Sequence, residues 1–197
     1  MEKYVITISR QFASLGRSIA QKMSENLEIE FYDRDIVEQT AKRMKQPISI
    51  ISKEEENLHS KFFRRKYPLG MGAENMQEEI FNVQTNIIRD FANKESCIIV
   101  GRCGNSILKG NARVLNIFVY APYEARLKNC TEVLKMDPKV AKKMIKEVDK
   151  ARENYRIRFS KDVENDFDGY DIMIDSSRFG VEKTAEILCD IVKSNFL

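Results

Sequence analysis

Short apolar runs alternate along this chain with longer segments whose apolar residues recur every three or four positions. Tyr4–Ser9, Glu30–Tyr32, "CIIVG" (97–101), "VLNIFVYA" (114–121) and the end of "YDIMIDSS" (170–177) read as strands. Gly16–Asn26 reads as a helix with Ile19, Ala20, Met23 and Leu27 inward, and Arg34–Lys45 as one that stops before Pro47. Ser52 and Glu55 have the spacing of a capping box for a helix to about Phe63. "RRKYPLGMGAEN" (64–75) is the clearest loop, and Glu74–Lys94 follows as a long helix. Tyr123–Leu134 and Val181–Lys193 are also helical in period, and Asp137-Pro138 caps a helix to about Phe159. The runs at 97–101 and 114–121 are apolar throughout, as in strands covered on both faces. Strands separated by helices predict a doubly wound parallel α/β sheet flanked by helices.

Such sheets bind ligands at the carboxyl ends of their strands. Ser9, Asp33, Gly101, Arg102, Ala121, Pro122 and Asp175–Ser177 fall there. With 197 residues the chain fits one sizeable domain, and its 43% hydrophobic and 32% charged content fits a globular protein. The net charge of +3 allows phosphorylated small molecules and lacks the concentrated basicity of a nucleic-acid binder. Four cysteines without Cys-x-x-Cys spacing, beside the single His59, argue against a zinc site or a disulfide framework. They are expected as reduced thiols in the core, as are Met23, Met44, Met76 and Met173. No apolar run reaches about 18 residues and no leader is read at the N-terminus, so a cytoplasmic protein without membrane contact is expected.

The segment "ITISRQFASLGRSIA" (6–20) has the outline of a phosphate-binding loop between strand and helix. Against G-x-x-x-x-G-K-[ST] it reads Gln11, Phe12, Ala13, Ser14, Leu15, Gly16, Arg17, Ser18. Gly16 opens a helix whose N-terminus attracts anions, Arg17 supplies a cation in place of lysine, and the Ser18 hydroxyl suits Mg2+. Leu15 is strained if its φ is positive. On this segment alone an ordinary strand–turn–helix is an equal reading. Asp33 and Asp35 sit at a strand end and also suit the first turn of a helix. "KFFRRKYP" (61–68) mixes aromatic and basic residues, and reads as a helix end or as a nucleic-acid patch.

"ITISRQF…GR", "FYDRDIV", "IIVGRCG", "VYAPYEARL", "DKARENY" and "YDIMIDSSRFGVEKT" occur in an order that resembles the cytidylate kinase-like family, a branch of the P-loop nucleoside monophosphate kinases. The family loop resembles S-R-x-[FY]-G-S-G-G-R, from which Ala13 and Leu15 depart. The resemblance implies a three-layer α/β/α kinase domain over 1–197, with a helical acceptor-binding region at 34–94 and a lid at about 136–162. It implies ATP and Mg2+, and phosphoryl transfer to a small acceptor, first of all a nucleoside monophosphate. Residues 11–18 would hold ATP phosphates, with Arg17, Arg102 and Arg152 neutralising charge during transfer. Asp33, Asp35, Arg102 and Asp149 would meet the acceptor, and Arg152, Arg156 and Arg158 would belong to the lid. Ser176, Ser177, Phe179 and Gly180 would lie near the ATP base, and Ser18 would meet the metal. Cys103 stands where a G-R-D pattern has its acidic residue. A nucleotide- or anion-binding module of the same fold without transfer is the alternative.

Overall fold

The computed structural model describes residues 2–56, 73–160, 165 and 167–197. Five strands, β1 (Val5–Arg10), β2 (Glu30–Tyr32), β3 (Cys97–Val100), β4 (Val114–Tyr120) and β5 (Ile172–Asp175), form one sheet in the order β2-β3-β1-β4-β5. Every pairing is parallel: Val5 aligns with Cys97 on one side and Val114 on the other, and Ile117 aligns with Ile172. The carboxyl ends of all five strands therefore open on one edge.

Parallel strands need crossovers, and helices supply them. On one face α1 (Gly16–Leu27) and α8 (Ser176–Phe196) bury Ile19, Ala20, Met23, Leu188 and Val192 against Ile6, Ile8, Ile117 and Val119. On the other, α2 (Arg34–Met44) and α4 (Ala73–Lys94) place Ile36, Ile87, Ile88 and Phe91 against Val5, Cys97 and Ile99. The Phe91 ring stacks on Tyr32 at 3.6 Å between centroids. The short α5 (Gly104–Ile107) follows β3, and α6 (Tyr123–Lys128) runs into a π-wound turn at Asn129–Val133. The long α7 (Pro138–Phe159) starts as expected at Asp137, whose carboxylate accepts from the N–H groups of Lys139 and Val140.

Several sequence expectations shift. No cap forms at Ser52, because α3 (Ile48–Glu56) is already helical from Ile48, directly after Pro47. Proline favours a helix start, and Ile51 rather than Ser52 sets the register by packing against Val37, Ala41 and Ile80. The expected end near Phe63, His59, the basic stretch 61–67 and loop residues 64–72 lie outside the described residues. Helix α5 was not anticipated, and α8 begins at Ser176 instead of Val181, with a break at Gly180 (φ 72°). Met173 is not core; it is 37% exposed and faces a cleft. All four cysteines are buried and free. No described helix is long and apolar enough to cross a membrane.

Candidate active site

In the loop between β1 and α1, each carbonyl from Gln11 to Ser14 is held by a protein group. Ser14 N and Oγ both lie within bonding distance of Gln11 O, at 3.4 and 3.0 Å. Arg126 Nη1 donates to Phe12 O at 3.4 Å, Asn129 Nδ2 to Ala13 O at 2.9 Å, and Ser176 Oγ to Ser14 O at 2.7 Å. A trans peptide points its C=O and the following N–H in opposite directions. Anchoring the Phe12 and Ser14 carbonyls in protein thus turns the N–H groups of Ala13 and Leu15 the opposite way, just ahead in the chain of the first turn of α1. There Gly16, Arg17 and Ser18 carry N–H groups that lack helical partners. Ala13 and Leu15, the two departures from the glycine-rich form, adopt φ of 59° and 60°. Both take the left-handed conformation that glycine enters without strain, and alternation of this kind gathers N–H groups around an anion. A Leu15→Gly protein is therefore expected to unfold at the same temperature or higher, gaining up to about 1 kcal/mol; a clear fall in a thermal scan would refute the strain.

Beside the loop, one carboxylate holds three arginines. Asp33, 6% exposed, receives Arg17 Nε at 2.9 Å, Arg102 Nη1 at 3.4 Å and Arg10 Nη2 at 3.7 Å. Arg152 joins them through its Nη1, which donates to Arg10 O at 2.9 Å. Burial first, and then repulsion from Arg152 and Arg102, push the Arg10 guanidinium down to about 9 from its usual value. Arg152 is lowered chiefly by burial too. Arginine stays protonated at neutral pH regardless, so the direction records a crowd of cations that an anion would relieve. Two glycines make room for it. A Cβ at Gly16 would stand 2.8 Å from Arg10 Cβ, and one at Gly101 would collide with the Arg10 guanidinium. Gly101, Arg102 and Cys103 all have positive φ, a turn that sends Arg102 back towards Asp33.

This cluster closes one end of a cleft of about 1260 Å3. Its floor is the outward side of β4 and β5, with Phe118, Tyr120 and Met173, and its opposite wall is α7. Cys103 lines it, yet burial pushes its thiol up to about 11. Because the thiolate is the reactive form, Cys103 is expected to resist iodoacetamide at pH 7.5 in the folded protein. Rapid labelling by mass spectrometry would contradict this.

The candidate residues sort clearly. Gln11–Arg17, Asp33, Arg102 and Arg152 form the loop and cluster. Ser18 is exposed on the first turn of α1. Asp35 is exposed in the first turn of α2 and takes no part in the ion pairs on Asp33. Asp149 accepts from Phe12 N at 2.7 Å and pairs with Arg126. Arg156 lies on the cleft wall paired with Glu153, whereas Arg158 turns to Gln77 on α4. Ser176 supports the loop, Ser177 bonds to Asp175, and Phe179 is exposed ahead of the Gly180 break. Arg10, Arg126 and Asn129 were not singled out from the sequence. Arg10 had a signal: it continues the inward phase of Ile6 and Ile8 at the end of β1. Arg126 had only its place in the segment VYAPYEARL and Asn129 had none, since their targets are loop carbonyls far away in sequence.

A five-stranded parallel sheet in the order 2-3-1-4-5, flanked by helices, is the architecture shared with kinases such as shikimate kinase. The chain belongs to the cytidylate kinase-like family, whose sequence model matches residues 5–178. Among solved structures it is similar to an uncharacterized protein from Eubacterium ventriosum, at 25% identity and TM-score 0.73, covering 98% of this chain and 99% of that one. It also superposes on shikimate kinase from Acinetobacter baumannii in complex with shikimate (12% identity, TM-score 0.55, 99% and 96% covered). Deoxyadenosine kinase from M. mycoides gives 11% identity and TM-score 0.50, with 96% and 99% covered. No curated protein matches the sequence.

Proposed function

We propose that this protein transfers the terminal phosphoryl group of ATP to a small anionic acceptor, a nucleoside monophosphate in the first instance. The observation that carries this reading is the β1–α1 loop, whose carbonyls from Gln11 to Ser14 are all engaged by protein groups. That leaves N–H groups and a helix N-terminus to face an anion. Arg17 is 58% exposed on its side chain and can exchange its contact with Asp33 for a phosphate oxygen. Arg102 and Arg152, which line the cleft, hold the acceptor's anionic group and keep the two negative reactants together. Arg10, buried beneath them, adds its own charge to the same anion-binding group. Positioning and charge neutralisation carry most of the rate in such transfers, and Asp33 sets the arginines at defined distances before a substrate arrives.

Magnesium fits this site as a companion of the phosphates. Among the described residues no three His, Cys, Asp or Glu side chains converge on one point. The Ser18 hydroxyl suits an ion that keeps its other ligands from phosphate and water. When bound, the ion withdraws charge from the phosphate oxygens. Ser176, Ser177, Phe179 and Gly180 at the start of α8 lie on the side proposed for the ATP base, and Arg156 on the side proposed for the lid.

The test is ADP release from Mg·ATP with a panel of nucleoside monophosphates, nucleosides and hydroxylated carboxylic acids. Release that depends on one acceptor supports transfer. Calorimetric ATP binding without turnover on any acceptor would favour a binding module of the same fold, and absence of ATP binding would sink both. Arg17→Ala is expected to weaken ATP binding by about 1.5–3 kcal/mol; an unchanged affinity would remove Arg17 from the site.

A further inference from the structure

The loop is gripped from the side by a charged pair, of which Asp149 was expected at the acceptor and Arg126 was given no role. Arg126 on α6 and Asp149 on α7 pair with each other, and each also reaches Phe12. Asp149 Oδ1 accepts from Phe12 N at 2.7 Å, while Arg126 Nη1 stands 3.4 Å from Phe12 O. One salt bridge therefore holds both polar groups of a single loop residue. We propose that Arg126 and Asp149 are positioning residues that fix the two peptides flanking Phe12, Asp149 through the Phe12 N–H and Arg126 through the Phe12 carbonyl, and thereby set the affinity of the loop for ATP phosphates. This rests on the reading of the loop given above.

Three observations support the clamp. The first is the direction of the peptide. If the Phe12 carbonyl swung round, it would replace the Ala13 N–H on the anion-facing side, so the group that holds that carbonyl decides what an anion meets. The second is the geometry of Arg126. The residue is 8% exposed, and its Nε is buried without a hydrogen-bond partner. Burying an unpaired donor is unfavourable. A guanidinium free to optimise its own contacts would turn that N–H to an acceptor; here it stays with Asp149 and Phe12. The third is packing. Phe12 and Ala13 sit in a small apolar cluster with Cys130, Ala141 and Ile145, so α7 and the turn that continues α6 also fix the loop's side chains. Helix α7 grips the segment a second time through Arg152 on Arg10 O, two residues upstream. A shift of α7 therefore moves the loop with it.

The clamp can be tested by titrating the full chain with Mg·ATP in a calorimeter. Arg126→Met and Asp149→Asn are each expected to weaken binding about tenfold or more, the size of a lost charge-assisted contact. The double variant should bind no more weakly than the worse single one, because the pair acts as a unit. Arg126→Lys should recover part of the loss. Arg113→Met serves as the comparison for simple destabilisation: Arg113 ties the carbonyls of Glu2, Lys3 and Phe196 far from the loop. It should lower the melting temperature and leave ATP affinity alone. Should Arg126→Met not fold, Asp149→Asn, which keeps the shape of the side chain, carries the test. Wild-type protein that fails to bind Mg·ATP overturns the loop reading itself. Wild-type binding with both variants within twofold of it overturns only the clamp. So do fully additive losses in the double variant, or an Arg113→Met loss as large as that of Arg126→Met.

Discussion

An Arg10→Met protein is expected to bind Mg·ATP and pyrophosphate at least tenfold more weakly, yet to unfold at the same temperature as the wild type or above it. Function and stability should move apart because Arg10 is a buried cation among cations. Burial and the nearby Arg152 and Arg102 lower its affinity for a proton, and Asp33 offsets this only in part. Removing the charge relieves that repulsion, and methionine fills much of the space beside Gly16 and Val119. Asp33 is not stranded, since Arg17 and Arg102 remain on it. Replacing buried charge by apolar volume is often neutral or stabilising when no partner is left alone. An incoming phosphate, in contrast, loses a charge-assisted partner, about 1.5–3 kcal/mol. Calorimetry and a thermal scan on the same sample decide it. A melting temperature that falls together with affinity would mean that Arg10 is simply structural.

The opposite experiment removes the carboxylate. Asp33→Asn is expected to destabilise the protein by about 3 kcal/mol, the scale for breaking a buried ion pair on one side. For a chain of this size that corresponds to a fall of roughly 6–12 °C in melting temperature. Three arginines are then left facing one neutral amide. Inorganic phosphate should therefore raise the melting temperature of Asp33→Asn more than that of the wild type, by mass action on a site that now lacks its internal anion. Chloride at equal ionic strength is the control. Equal phosphate shifts in both proteins would show that Asp33 and a bound anion do not use the same arginines.

The architecture was legible because strand and helix periods differ and because apolar strands in a parallel sheet advertise themselves. "CIIV" and "VLNIFVY" lie where their patterns placed them, and the capping signal of Asp137-Pro138 is realised in full. The start of α3 was misplaced because a polar capping pattern competed with the burial of Ile51, and burial won. Within the site, Asp33 and Arg102 could be named because they follow strand ends, and Arg152 because the resemblance implies it. Asp35 was named beside Asp33, and Arg158 with Arg152, but side-chain direction separates them from the cluster: one points to solvent and the other to α4. Arg126 and Asn129 could not be found from local pattern, because their role exists only once α6 has folded against a loop more than a hundred residues away. The left-handed turns at Ala13 and Leu15 were signalled only by the glycines of the resembling family at those places and by the strain foreseen for Leu15, since neither residue type prefers them.

The way Arg10 is housed also bears on how such a site can drift over generations. Gly16 and Gly101 come from different segments, and the same side chain forbids a Cβ at both. While the arginine stays, neither glycine can change without disturbing it. Should a lineage exchange Arg10 for a small residue, the veto at Gly101 is reduced to its positive φ alone, whereas Gly16 stays barred by the Cβ that any residue but glycine carries at position 10. The three positions are thus linked in history, and reversion becomes harder with each side chain that grows into the vacated space.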